Sequence, residues 1–245
     1  MSSWGQKLAF RWLAREETVA TRQCVHFCGF RYSRGELNPY ETYARALARN
    51  EPVAQARTAF VEFLQHYRPR HFGEALGLDL QRNYPLWLYP WTRRSVQPGW
   101  YDVPGDCPDV LTYFSELGIS RRRIGLEFGW MENAFASIRQ HGYQPARFRS
   151  VIRARKFLAE DGTAAYLILD GNHRLAVLAA LGVERITLRH LPSATVRRSD
   201  LPRWPRVRDG TYLPEDASKV FAVYFTGNQR GSTQTPAARL IDDDR

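Results

Sequence analysis

The sequence predicts an α/β protein of the α+β kind, with a helical amino-terminal portion ahead of a smaller strand-and-helix domain. Two observations carry this expectation. Residues 38–78 hold helix signals in succession, and residues 164–191 alternate short apolar strands with a helix. The first helix begins at Asn38-Pro39-Tyr40-Glu41, a capping side chain, a proline at the first helical position and an acid in the first turn. A second runs from near Pro52, where Ala59, Phe60, Phe63 and Leu64 share one apolar face, and must stop before Pro69. Residues 72–78 form a short helix closed by glycine.

Tyr84 to Pro108 differs in kind. Pro85, Pro90, Pro98, Pro104 and Pro108 stand among Trp87, Tyr89, Trp91, Trp100 and Tyr101. Prolines so close together forbid a regular helix or central strand. The segment is expected as an irregular loop pinned to the core by its aromatics, with stacking on sugars or bases as the alternative. From Leu126 onward, Met131, Phe135 and Ile138 fall at helical spacing, and the helix ends at His141-Gly142. A strand is expected within Pro145 to Phe157, a buried one at Ala164 to Leu169, a helix from Asn172 to Leu181 closed by Gly182, and a last strand at Ile186 to Leu191. The expected division is a helical region with a Trp/Pro-rich loop over 1–110, a second domain over 111–225, and a polar tail over 226–245, expected to be disordered. No internal repeat is present.

Composition narrows the class without choosing a function. The 245 residues are 44% hydrophobic and 24% charged, ordinary for a globular chain. No run of apolar residues is long enough to span a bilayer. Arg11, Arg15, Glu16 and Glu17 break up the early apolar stretch, which is unlike a secretory signal, so a cytoplasmic location is expected. The three cysteines are too few for a disulfide framework. Cys24, His26 and Cys28 resemble half a zinc site, but a structural site needs four ligands, and buried thiols are the better expectation. The net charge of +10 favours polyanionic or phosphorylated partners.

The chemistry concentrates where the Ala164–Leu169 strand meets Asp170-Gly171-Asn172-His173-Arg174. A glycine at such a turn lets the backbone approach a ligand. The helix that follows aims free N–H groups and a positive dipole end at whatever lies over it. His173 and Arg174 in the first turn add donors suited to phosphate oxygens, and Asp170 could hold Mg²⁺ or a hydroxyl. Simple capping would not call for two basic residues there, because the dipole disfavours cations unless an anion is present.

These residues carry a resemblance. Phe135 to Gly142, Gln144-Pro145, Tyr166 to Gly182 and Ile186 to Leu191 resemble, in order, the ParB N-terminal/sulfiredoxin superfamily, over roughly 65 residues. Sulfiredoxins place a cysteine where this chain has Asn172, so the resemblance does not extend to their reductase chemistry. Chromosome-partitioning ParB proteins have a different turn and a helix-turn-helix domain that the remaining residues do not supply. The Asp-Gly-x-His-Arg turn is most similar to that of the free-serine kinases. That likeness implies an ATP- or ADP-dependent phosphotransferase with Mg²⁺, acting on a small hydroxyl acceptor. It implies Glu127 as catalytic acid–base, with Glu132 as fallback, and Asp170 and His173 as further catalytic residues. Gly171, Asn172, His173 and Arg174 would hold the phosphates, and Asp170 the metal.

A further likeness, carried by Asn38-Pro39-Tyr40, the Phe63 to Leu78 block, and Leu126-Glu127 followed by Ser137-Ile138 and Gly142-Tyr143, is to ParB-like proteins associated with surface-polysaccharide biosynthesis. It implies a sugar or glycan-precursor acceptor, with the 84–104 loop as a candidate substrate wall. Arg149, Arg153 and Arg155 are additional candidates for phosphate or acceptor contacts, though their alternation also suits a solvated strand face. The alternative is a nucleotide-regulated, ParB-like protein that holds DNA or a partner without phosphoryl transfer, using Arg197 to Arg208 as a basic arm. Nucleic acid is the less favoured partner.

Overall fold

Caps and prolines set the helices of this chain locally, whereas its sheet is assembled from segments far apart in sequence. The computed structural model describes residues 13–32, 38–93, 121–145 and 151–228. Helix α1 (Pro39–Ala48) starts where Asn38 accepts from the backbone N–H groups of Tyr40 and Glu41. Helix α2 (Val53–His66) ends short of Pro69, and α3 (Phe72–Leu76) closes on Gly77 with φ +66°. Helix α4 (Arg121–His141) ends at Gly142, φ +70°, and α5 (Asn172–Ala180) is followed by Gly182, φ +76°. Helices α6 (Pro205–Arg208) and α7 (Pro214–Thr226) complete the set among the described residues.

The sheet is mixed. Its strands are β1 (Arg15–Ala20), β2 (Cys24–Val25), β3 (Ile152–Leu158), β4 (Ala164–Asp170), β5 (Arg185–His190) and β6 (Val196–Arg197), in the order β1-β5-β3-β4-β2, with β6 also on β3. Strands β1 and β5 pair antiparallel from Arg15 opposite His190 to Ala20 opposite Arg185. The β3–β4 pair is also antiparallel, while β5 and β6 run parallel to β3 and β2 runs parallel to β4.

The chain is thus α+β, with two differences from expectation. The amino-terminal portion is not helical throughout: it supplies β1 and β2, so the sheet takes strands from both sides of residue 110. The strand expected from Pro145 begins only at Ile152, and proline has no N–H to give a central strand such as β3. Residues 146–150 lie outside the described set.

Helices α1 and α4 both pack on α5, and α1 also packs on α2. Tyr43, Phe60 and Phe128 fill the angle between α1, α2 and α4, with ring centroids 5.4–5.9 Å apart. A second aromatic cluster gathers Trp91, Phe157, Phe221 and Tyr224 between β3 and α7. The described part of the Trp/Pro-rich loop is pinned down as expected. Trp87 and Tyr89 are buried, and Tyr84 stacks on Tyr212 at 3.7 Å. Residues 94–108 of that loop, and the tail from 229, lie outside the described residues; Thr226, where the tail was expected to begin, is the last residue of α7. Cys24 and Cys28 are buried and unbridged, and burial pushes both thiols up. No helix among the described residues is long and apolar enough to cross a membrane.

Candidate functional site

Strand β4 ends at Asp170, Gly171 turns the chain at φ +97°, and α5 starts at Asn172. The turn has no room for a larger residue. A Cβ on Gly171 would lie 3.0 Å from both Arg174 Nη2 and Ile152 Cγ1. Over the turn opens a hollow of about 440 Å³, whose lining includes Trp130, Tyr143, Asp170, Gly171, His173 and Arg174. Helix α4 forms one wall through Trp130, Ala134 and Ile138. Tyr143 is fixed at the rim: its hydroxyl accepts from the Ile152 N–H at 3.1 Å and faces the Thr187 carbonyl at 3.3 Å.

Behind the hollow lies a buried charge relay. Glu127 and Arg123, one helical turn apart on α4, are each 1% exposed and joined through Arg123 Nη2 to Glu127 Oε1 at 2.8 Å. The other carboxylate oxygen meets His173 Nε2 at 2.8 Å. Burial works against the charge on Glu127, but His173 and Arg123 outweigh it and hold the carboxyl below its ordinary value. An ionised carboxylate only accepts, so His173 Nε2 carries a hydrogen and Nδ1 is left without a partner among the described residues. Tyr40 and Trp130 flank the imidazole at centroid distances of 5.4 and 5.8 Å, and the Arg123 guanidinium lies 4.8 Å from the Trp130 ring.

Asp170 is held by cations on both oxygens. Arg153 reaches Oδ2 at 3.0 Å and Arg174 reaches Oδ1 at 3.3 Å. Arg174 retains Nη1 buried with no hydrogen-bond partner. Two guanidinium groups on the one carboxylate of the lining repel a divalent cation. Among the described residues, no group of three or more His, Cys, Asp or Glu is placed to hold a metal. The side chains therefore do not fit a resident Mg²⁺ at Asp170. They fit an anion.

Of the expected residues, the hollow gathers Asp170, Gly171, His173 and Arg174. Asn172 turns away, its Oδ1 accepting from the Tyr32 hydroxyl at 2.9 Å. Glu127 stands behind His173 and does not line the hollow. Glu132, the fallback acid, is occupied by Arg57 and Tyr43. Arg153 joins the site, Arg155 lies elsewhere, and Arg149 is outside the described residues. Within 84–93 no residue lines the hollow. Arg123, Trp130 and Tyr143 were not foreseen; the one sequence signal was Arg123 four residues before Glu127, the spacing of a helical ion pair.

Comparison with family models, curated proteins and solved structures gives no match for this chain. Fold and site together define a mixed α+β protein with an open hollow at a strand-to-helix turn, lined by Asp170, His173 and Arg174 among others.

Proposed function

We propose that the chain is a ParB/sulfiredoxin-like phosphotransferase that uses ATP or ADP to phosphorylate a small hydroxyl compound, with a sugar or glycan precursor as acceptor. The observation that carries this reading is the combination over Gly171. Gly171, His173 and Arg174 of the turn line one open hollow, where the His173 imidazole is backed by the Glu127 carboxylate and Arg174 adds a permanent positive charge. Such a set suits a phosphate chain beside an alcohol.

In this reading the acceptor oxygen forms a bond to the terminal phosphorus while the bond from that phosphorus to the nucleotide's bridging oxygen breaks. The electron pair leaves with the shortened nucleotide, and the acceptor proton passes to His173 Nδ1. Glu127 is then a positioning residue. It fixes the tautomer and stabilises the imidazolium from behind, as a buried carboxylate does for a catalytic histidine. Arg174 and the α5 amides neutralise the phosphate oxygens. No role falls to a protein-held metal at Asp170, which instead orients Arg153 and Arg174.

The test is transfer of labelled phosphate from ATP or ADP to a pool of sugars and amino alcohols. Wild type is expected to label an acceptor. His173→Ala is expected to lose about 100-fold or more in rate, the usual worth of a general base, while still binding nucleotide. Nucleotide binding without any transfer, coupled to salt-sensitive retention of DNA, would favour the non-catalytic alternative. The basic arm lends that alternative little. Arg203 and Arg206 are already paired with Asp200 and Asp209.

A further inference from the structure

Arg155 has no counterpart in the site above. It leaves β3 on the same side as Phe157, toward Trp91 and Tyr224, while Lys156 leaves on the other side and pairs with Glu17 at 2.9 Å. The described residues give the Arg155 guanidinium neither an ion pair nor a hydrogen bond, and its Nε is sealed from solvent without a partner. Burial pulls this guanidinium below the usual arginine value, and Tyr89 and Tyr224 offset the pull only in part. Arginine stays charged under such pressure. A largely desolvated cation with nothing to neutralise it is costly, and perturbed charges of this kind cluster at ligand sites.

Space for a ligand is present. Arg155 lines a second hollow of about 270 Å³ together with Trp91, Ser193, Thr195, Arg197 and Trp204. It shares no lining residue with the hollow over Gly171. Two guanidinium groups face one carboxylate there, that of Asp200, which is bound to Arg203, so the lining keeps an excess of positive charge. The indoles of Trp91 and Trp204 meet edge to face at 5.4 Å and offer apolar walls. Hydroxyls of Ser193 and Thr195 supply donors. The volume falls just under the usual range for ligand pockets, which suits a compact molecule.

We propose that this hollow is a second ligand site, selective for a small molecule bearing a carboxylate or phosphate group, with Arg155 as the bidentate anchor. The proposal does not depend on the phosphotransfer reading.

The experiment titrates the full chain with inorganic phosphate and, separately, with succinate, at constant ionic strength against chloride, following thermal unfolding. The variants are Arg155→Met, Arg155→Lys and His173→Ala. At least one oxyanion should raise the unfolding temperature of wild type and of His173→Ala saturably. The apparent affinity should fall about tenfold or more in Arg155→Met, and less in Arg155→Lys, which keeps the charge and loses the fork. Whichever of phosphate or succinate gives the response names the oxyanion. In chloride alone Arg155→Met should melt no lower than wild type, since the arginine it replaces has no partner to lose. An unchanged anion response in Arg155→Met overturns the proposal. So does a response that disappears only in His173→Ala, or an Arg155→Met chain that melts well below wild type in chloride, which would make Arg155 structural.

Discussion

Glu127 is the residue on which the site's electrostatics turn. Its charge is met on one oxygen by the Arg123 guanidinium and on the other by the Nε2–H of His173, in a place with almost no solvent. Removing one partner of a buried pair leaves the other uncompensated. Glu127→Gln preserves shape and removes the buried negative charge beside Arg123, and is expected to cost on the order of 3 kcal/mol, read by urea unfolding at neutral pH. The folded carboxyl titrates below its unfolded value of 4.5, so its contribution is present above that pH and is lost as pH falls through the lowered value. Glu127→Gln should lack this loss. His26 acts in a different window. Burial first, and the charge of His173 second, pull it from 6.5 to about 3. The unfolded chain therefore takes up this proton first, and the His26 contribution to stability should decline between pH 6.5 and about 3, then level. Over that window the loss is on the order of a few kcal/mol. His26→Gln should flatten the decline in acid-unfolding curves; an unchanged slope would show that His26 is not held neutral.

Among elements, the turn between β4 and α5 is the most constrained. Gly171→Ala puts a Cβ into the left-handed region and against Arg174 and Ile152. It is expected to cost about 1–3 kcal/mol and to displace the guanidinium, weakening nucleotide binding. Gly182 also has positive φ, but a Cβ there meets open space. Gly182→Ala should lose stability and keep nucleotide affinity, and paired melting and titration experiments separate the two effects. The same contrast explains what the sequence made legible. Caps, prolines and closing glycines act within a few residues, so α1, α2, α3 and α5 were readable from their own segments. Strand β1, Arg-Glu-Glu-Thr-Val-Ala, is half exposed, and its partner lies about 170 residues away, so nothing local marks it. Helix α7 carries a start signal, Pro214-Glu215-Asp216, that sits close to the polar tail. The Asp170–Arg174 turn was legible because one strand-to-helix junction contains it. That Glu127 would stand behind His173 was not, since only the packing of α4 on α5 brings them together.

At the scale of the whole molecule, early and late segments close the structure around the site. Strand β1 extends the sheet at β5, α1 and α4 grip α5, and the Tyr84 and Gln81 contacts to buried Asp216 tie the loop after α3 to α7. Arginines scattered along the sequence end in distinct settings: Arg153 and Arg174 at the turn, Arg155 beside Arg197 in the second hollow, Arg203 and Arg206 paired with Asp200 and Asp209. The central claim is that the hollow over Gly171 receives a phosphate through Arg174 and the α5 amides. Calorimetric titration of ATP and ADP into wild type and Arg174→Met tests it most directly. A charge-assisted hydrogen bond is worth about 1.5–3 kcal/mol, so the variant should bind about tenfold or more weakly while melting near wild type. Equal affinity in the two proteins, or no nucleotide heat from wild type, would contradict the claim.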